Sequence, residues 1–327
     1  MTVRSTTFAA QESANRRNSI VLVLVVMAVL AALGFTIGFG TSGAVEGGYV
    51  VTTGAIVLAM LLSVGSYFGG DKLVLATSGA KEVSQASAPQ LMNVVQEMAL
   101  AAGVPMPKVY IIDDTAPNAF ATGRDPQHAS VAITTGLLQK LDREELQGVI
   151  GHELSHVRNF DIRFSLLVAV LVGSIALMAD FFLRFTFWGG GRSSGDRDKG
   201  GGGLAAVVFV IAIVLSLLAP IIARFVQLAV SRQREYLADA SSVELTRNPR
   251  GLERALAKIA GDKEVLEVAN RATQHLYFTN PIKKFEKRSS SMFSTHPAIT
   301  DRINRLRQLT GEPPLIASDV AALSGLD

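Results

Sequence analysis

The residues richest in chemical possibility are His152-Glu153-Leu154-Ser155-His156. On a helix, residues four apart lie on one face, so both imidazoles can reach a single metal ion. Zinc suits them, because it accepts neutral imidazole nitrogens in a tetrahedral site. Glu153 follows the first histidine directly. Its carboxylate can approach a water activated by the metal, take the proton and later pass it to a leaving amine. The competing explanation is two surface histidines that happen to be four apart. Against it, the chain has only five histidines, and no Gly or Pro interrupts 153–163. The chain also has no cysteine, which excludes disulfides, thiolate zinc sites and thiol nucleophiles. Any metal site must use His, Asp or Glu.

A catalytic zinc has three protein ligands and one open position. The best third candidate is Glu235, in the run Ser231-Arg232-Gln233-Arg234-Glu235-Tyr236-Leu237-Ala238-Asp239. Glu235 and Asp239 are again four apart. We assign Glu235 to the metal, and Asp239 to accepting the second ring N–H of a ligand imidazole and so fixing its orientation. A solvated charged helix is the bland alternative for this run. Asp161, five residues after His156, is either a support for the ligand helix or a helix-terminal or surface residue. His128 and His275 have no motif around them and are read as structural or surface residues.

The elements that must position these groups include membrane spans. Of the 327 residues 49% are hydrophobic and only 18% charged, and the shortfall is concentrated in four apolar runs of bilayer-spanning length. They define a tail at 1–18, two transmembrane helices within 19–69, a polar segment at 70–163, and a third transmembrane helix at 164–188. A Gly-rich loop at 189–203, a fourth transmembrane helix at 204–230, a second polar segment at 231–310 and a flexible end at 311–327 complete the chain. Basic residues near the span ends (Arg4, Arg16, Arg17, Lys72, Lys81, Arg158, Arg163) place the tail and both polar segments in the cytoplasm. Arg192, Arg197 and Lys199 in the 189–203 loop argue weakly the other way. The net charge of +3 comes from scattered basic residues and reads as membrane topology, with no nucleic-acid footprint. Asp180 and Arg184, four apart near the outer end of the third span, are placed to pair. In the polar segments, apolar spacing predicts helices at 88–102, 251–260 and 298–309 and β-strands at 108–112, 118–123 and 130–135. Asp142 with Glu145 predicts a capping box opening the HExxH helix. His156 lies two helical turns before the third span and Glu235 about one and a half turns after the fourth. If the helices continue, the metal lies just under the bilayer surface.

Four motifs in order, Asn118-Ala119-Phe120-Ala121-Thr122-Gly123, the HELSH run, the EYLAD run and Ser294-Thr295-His296-Pro297 leading to Arg302, resemble those of the HtpX-like membrane zinc metalloproteases. The resemblance covers nearly the whole chain. It implies a gluzincin-type site with one Zn2+ per subunit held by His152, His156 and Glu235, and Glu153 as general base. It further implies that His296 stabilises the oxyanion and that Arg302 braces its surroundings. Asn118, Ala119, Phe120 and Ala121 would lie on an edge strand that pairs with extended substrate. The expected fold is a mainly α integral membrane protein: four transmembrane helices plus a cytoplasmic α+β zincin-like protease domain, with a small β-sheet next to the HExxH helix. The expected function is hydrolysis of misfolded or damaged membrane proteins in the plasma (inner) membrane of a prokaryote, with the active site facing the cytoplasm. The expected partners are the lipid bilayer, unfolded membrane-protein substrates and other membrane quality-control proteases. The alternatives are a CAAX-prenyl-protease-like peptidase, which would need more spans, and a non-proteolytic metal-binding or adaptor protein, which would not need Glu153.

Overall fold

The computed structural model describes residues 8–188, 202–261 and 297–315. The chain divides into two units, one formed by Met1–Glu12, Tyr67–Ser165 and Leu228–Asp327, the other by Ser13–Ser66 and Leu166–Gln227.

The second unit is helical. It takes most of α1 (Phe8–Ser42) and α2 (Val45–Thr77), together with parts of α6 (Asp161–Trp188) and α7 (Gly202–Thr246). Helices α1 and α2 are joined by a tight turn at Gly43, whose φ of 72° lies in the left-handed region. Leu24–Ser42 and Val45–Thr77 are long and apolar enough to cross a membrane, and α7 holds a shorter apolar run, Val207–Ile222. Large side chains such as Val50, Leu61, Phe181 and Leu217 stand exposed on this unit. Water would penalise that surface, whereas hydrocarbon would not. Phe182 and Phe209 meet edge to face at 5.7 Å. Asp180 and Arg184 pair at 2.7 Å. The helices exceed the expected spans: α1 already begins at Phe8, inside the expected 1–18 tail, and α2 continues past 69 to Thr77. It stops there because Gly79 turns left-handed, and the Ala80 N–H then bonds the Leu75 carbonyl in a Schellman-like closure.

The first unit carries the sheet. Strands β1 (Lys81–Glu82), β2 (Lys108–Ile112), β3 (Ala119–Gly123) and β4 (Ala129–Thr134) stand in the order β1-β2-β4-β3. The β2–β4 pair is parallel and the two outer pairs are antiparallel. Its helices are α3 (Pro89–Ala102), the short α4 (Thr135–Lys140), α5 (Arg143–Arg158), α8 (Pro249–Gly261) and α9 (Ile299–Thr310). The elements at 88–102, 108–112, 118–123, 130–135, 251–260 and 298–309 are present within two residues of expectation. β1, α4 and a single 3₁₀ turn at Pro126–His128 were not expected, being too short to show a period. One sheet face contributes Val109, Ala119, Ala121, Val131 and Ile133 to a core shared with α3, α5 and α8, with β3 packed on α5. The other buries Ile112, Phe120 and Ala132 with Val74 and Leu75.

Helix α5 begins with the expected capping box: Asp142 accepts from the Glu145 N–H at 2.9 Å, and Glu145 accepts from the Asp142 N–H at 2.8 Å. Two glycines let its neighbours close in. A Cβ on Gly148 would stand 2.8 Å from the Leu252 backbone nitrogen, and one on Gly151 3.0 Å from Ser242 Oγ. The helix does not continue through 163 as the uninterrupted sequence suggests. It ends at Arg158, Phe160 adopts a left-handed φ of 59°, and α6 starts at Asp161. A left-handed phenylalanine costs about 1–2 kcal/mol, so contacts elsewhere must hold the break. The expected loop at 189–203 and the flexible end at 311–327 lie largely outside the described residues.

Candidate functional site

Helix α5 presents His152, Glu153 and His156, and α7 presents Glu235 and Asp239. Between them His152, Glu153, Glu235 and Asp239 are all buried, while the His156 side chain keeps 15% of its surface exposed. The two Nε2 atoms stand 3.1 Å apart. Glu235 faces both, its carboxylate oxygens 3.6 Å from His152 Nε2 and 3.7 Å from His156 Nε2. One ligand atom from each of the three residues fits within a 4.8 Å span. Tetrahedral bonds of about 2.0–2.1 Å set donors roughly 3.3–3.4 Å apart. The observed spacings bracket that value, so these two nitrogens and one carboxylate fit a small divalent ion such as zinc.

Behind the donors lies a second layer of charge. His152 Nδ1 meets Asp239 Oδ1 at 2.9 Å. Arg302, fully buried on α9, grips both oxygens of Asp239, donating from Nε at 2.9 Å and from Nη2 at 2.7 Å. The same guanidinium stands 3.5 Å from Glu235 and 3.3 Å from His152 Nδ1. Asp239 thus touches the ring nitrogen of His152 that faces away from Glu235, and Arg302 is brought to the same carboxylate. His156 Nδ1 meets Asp161 Oδ2 at 3.1 Å, and the other Asp161 oxygen lies 3.4 Å from Arg234 Nη1. The sequence reading left Asp161 undecided and passed over Arg234. The only signal for Arg234 was its position next to Glu235, which periodicity alone does not interpret.

These surroundings drive the titrating groups apart. Burial, aided by the Arg302 charge and opposed by the Asp239 hydrogen bond, pushes His152 down to about 4. Burial also acts against a charged His156, but the Asp161 hydrogen bond and the charges of Glu235, Asp161 and Glu153 outweigh it and raise His156 to about 9. Burial raises Glu153 to about 7, against the pull of His156 and of the Ala121 backbone N–H that donates to its carboxylate. A carboxylate poised near neutrality is suited to accept and return a proton. Asp239 moves the other way: burial opposes its charge, but Arg302 and His152 hold it below the usual range.

Ala121 belongs to β3, the terminal strand of the sheet. Of the expected substrate-contacting residues, Ala119 and Ala121 face α5, whereas the Phe120 side chain is buried on the opposite face. Asn118 turns its side-chain oxygen to the Ala119 N–H at 3.0 Å. His296 and His275 lie outside the described residues, and His128 is half exposed and bonds Asp125 at 2.6 Å.

A helix bearing HExxH against a small mixed sheet, facing a buried glutamate from a distant helix, defines a metalloprotease. The comparisons place it further. The model of peptidase family M48 matches residues 85–310. A protease HtpX homolog of Streptococcus uberis is 46% identical over 301 residues, covering 91% of this chain and 99% of the relative. One from Listeria monocytogenes serotype 4a is 44% identical over 307 residues with the same coverage. The crystal structure of S. mikatae Ste24p aligns with 91% of this chain and 67% of its own at a TM-score of 0.48 and 18% identity, a likeness too loose to bear on the site. The chain belongs to peptidase family M48, and is a membrane metallopeptidase.

Proposed function

We propose that the protein is a zinc-dependent endopeptidase of a prokaryotic plasma (inner) membrane, crossing it four times with the site on the cytoplasmic side. Its substrates are unfolded or damaged membrane proteins, and other membrane quality-control proteases share the task. The observation that carries the reading is the convergence of His152, His156 and Glu235 within 4.8 Å, with Glu153 beside them and held by the β3 backbone.

His152, His156 and Glu235 would hold the ion. When bound, it supplies Lewis-acid chemistry, polarising the scissile carbonyl and acidifying water towards a pKa of ~7. Glu153 accepts the proton of the attacking water and delivers it to the leaving nitrogen. Asp239, kept ionised by Arg302, holds His152 with Nδ1 protonated and Nε2 free to coordinate. An extended peptide adds to the outer edge of β3 through main-chain hydrogen bonds, which ignore side-chain identity and suit substrates that have lost their fold. Family resemblance gives oxyanion stabilisation to His296.

Glu153→Gln is expected to retain zinc and lose cleavage of an unfolded membrane protein by at least about a hundredfold, in line with removal of a general base. Glu235→Ala is expected to lose both zinc and cleavage. Metal analysis and gel-based proteolysis of the detergent-solubilised proteins check both. Wild-type cleavage rates in Glu153→Gln would remove Glu153 from the mechanism.

A further inference from the structure

We propose that Asp161 is a positioning residue for the metal centre: it orients His156 through Nδ1, as Asp239 orients His152, and the break between α5 and α6 exists to bring it there. This rests on the reading that His152, His156 and Glu235 hold the ion.

Three observations converge. The Asp161 Oδ2–His156 Nδ1 contact of 3.1 Å leaves His156 Nε2 aimed at Glu235, 3.7 Å from its carboxylate. Asp161 is 4% exposed, and its second oxygen lies 3.4 Å from the buried Arg234, so the carboxylate is held on both sides. Arg234 immediately precedes Glu235 on α7, and the Asp161–Arg234 pair therefore ties the two ligand-bearing segments together a second time, independently of Asp239 and Arg302. Finally, the chain accepts a left-handed conformation at Phe160, which carries a side chain that disfavours it. Had α5 continued through 163, a residue five positions after His156 would sit about 500° around the axis, off the His156 face. The break turns the carboxylate back onto the ring. An acidic residue in the first turn of a helix commonly serves only the helix dipole. Such a residue is usually solvated, whereas this one is buried and bonded sideways to a ligand imidazole.

A ligand histidine whose second nitrogen donates to a carboxylate is fixed in tautomer and in ring rotation, and loss of such a partner typically weakens metal affinity ten- to a hundredfold. Asp161→Asn in the full-length solubilised protein is expected to raise the zinc Kd by roughly that factor in chelator competition. It should also shift the visible absorption of the cobalt-substituted protein and lower kcat with little change in KM. Unchanged zinc affinity and cobalt spectrum in a folded Asp161→Asn protein would make Asp161 a helix-terminal residue only and overturn the proposal. The wild type supplies a test that needs no variant. In the zinc-loaded, 15N-histidine-labelled protein, His156 should show a protonated, strongly hydrogen-bonded Nδ1, and an unprotonated Nδ1 overturns the proposal. A wild type that binds no zinc would instead overturn the metal-site reading.

Discussion

Two histidines four residues apart on one helix, chemically identical in the sequence, end in opposite electrostatic states. His152 is pushed to about 4 and His156 raised to about 9. Burial opposes the charged ring at both, and each has a carboxylate on Nδ1 with an arginine behind it; the difference lies in the charges around each ring, Arg302 reinforcing burial at His152 while Asp161, Glu235 and Glu153 together outweigh it at His156. Arg302 binds both oxygens of Asp239 at hydrogen-bond distance and stands 3.3 Å from the ring itself. It offsets the negative charge and adds positive charge beside the imidazole. Arg234 reaches Asp161 only at 3.4 Å, and His156 also feels Glu235 and Glu153. Burial with an arginine beside the ring makes a neutral ligand, while a ring among three carboxylates keeps its proton until the metal displaces it.

The largest break in this comparison is expected from Arg302→Met. It removes the guanidinium that grips both oxygens of the buried Asp239, and a buried ion pair that loses one partner costs about 3–5 kcal/mol. Thermal unfolding should fall sharply, and His152 should gain a proton and bind zinc less well, as read by chelator competition. A smaller effect comes from protonation. At about pH 8, zinc uptake should release about one proton, from His156, measurable by calorimetry in buffers of different ionisation enthalpy. The sign for stability follows: the folded pKa of His156 lies above its ordinary 6.5, so its contribution is full below 6.5 and lost as pH rises through about 9. The metal-free protein should lose stability across that window, and the zinc-loaded protein should not. The smallest effect is expected at the exposed Arg143–Glu97 pair. Glu97→Gln should change stability by no more than about 0.5 kcal/mol and leave zinc binding untouched. A larger loss there would show that the contrast between neutralised and loose pairs does not depend on burial.

Much of the site was legible because helical spacing is a local rule. HELSH and EYLAD each place two polar residues four apart, and both pairs lie in helices, as that rule requires. The Asp142–Glu145 capping box was readable for the same reason. Less legible were Gly148 and Gly151, whose absent side chains admit Leu252 and Ser242 and bring α7 and α8 to the HExxH helix. Nothing in a linear pattern says which neighbour a glycine makes room for. The α5–α6 break was invisible, since Asn159-Phe160 carries no Gly or Pro to mark it.

The sequence by itself determined the chemical class: an HExxH run, no cysteine, and apolar stretches long enough for a bilayer. Those are properties of residue type and spacing, which act over one or two helical turns. The tertiary structure decided that Glu235, some eighty positions away, faces both imidazoles, and that Arg302 neutralises Asp239 while Arg234 only flanks Asp161. It also set Glu153 near neutrality on a strand backbone. These depend on burial and on distances between segments far apart in the chain, where Coulomb interactions and desolvation change steeply over an ångström and leave no mark in the order of the residues.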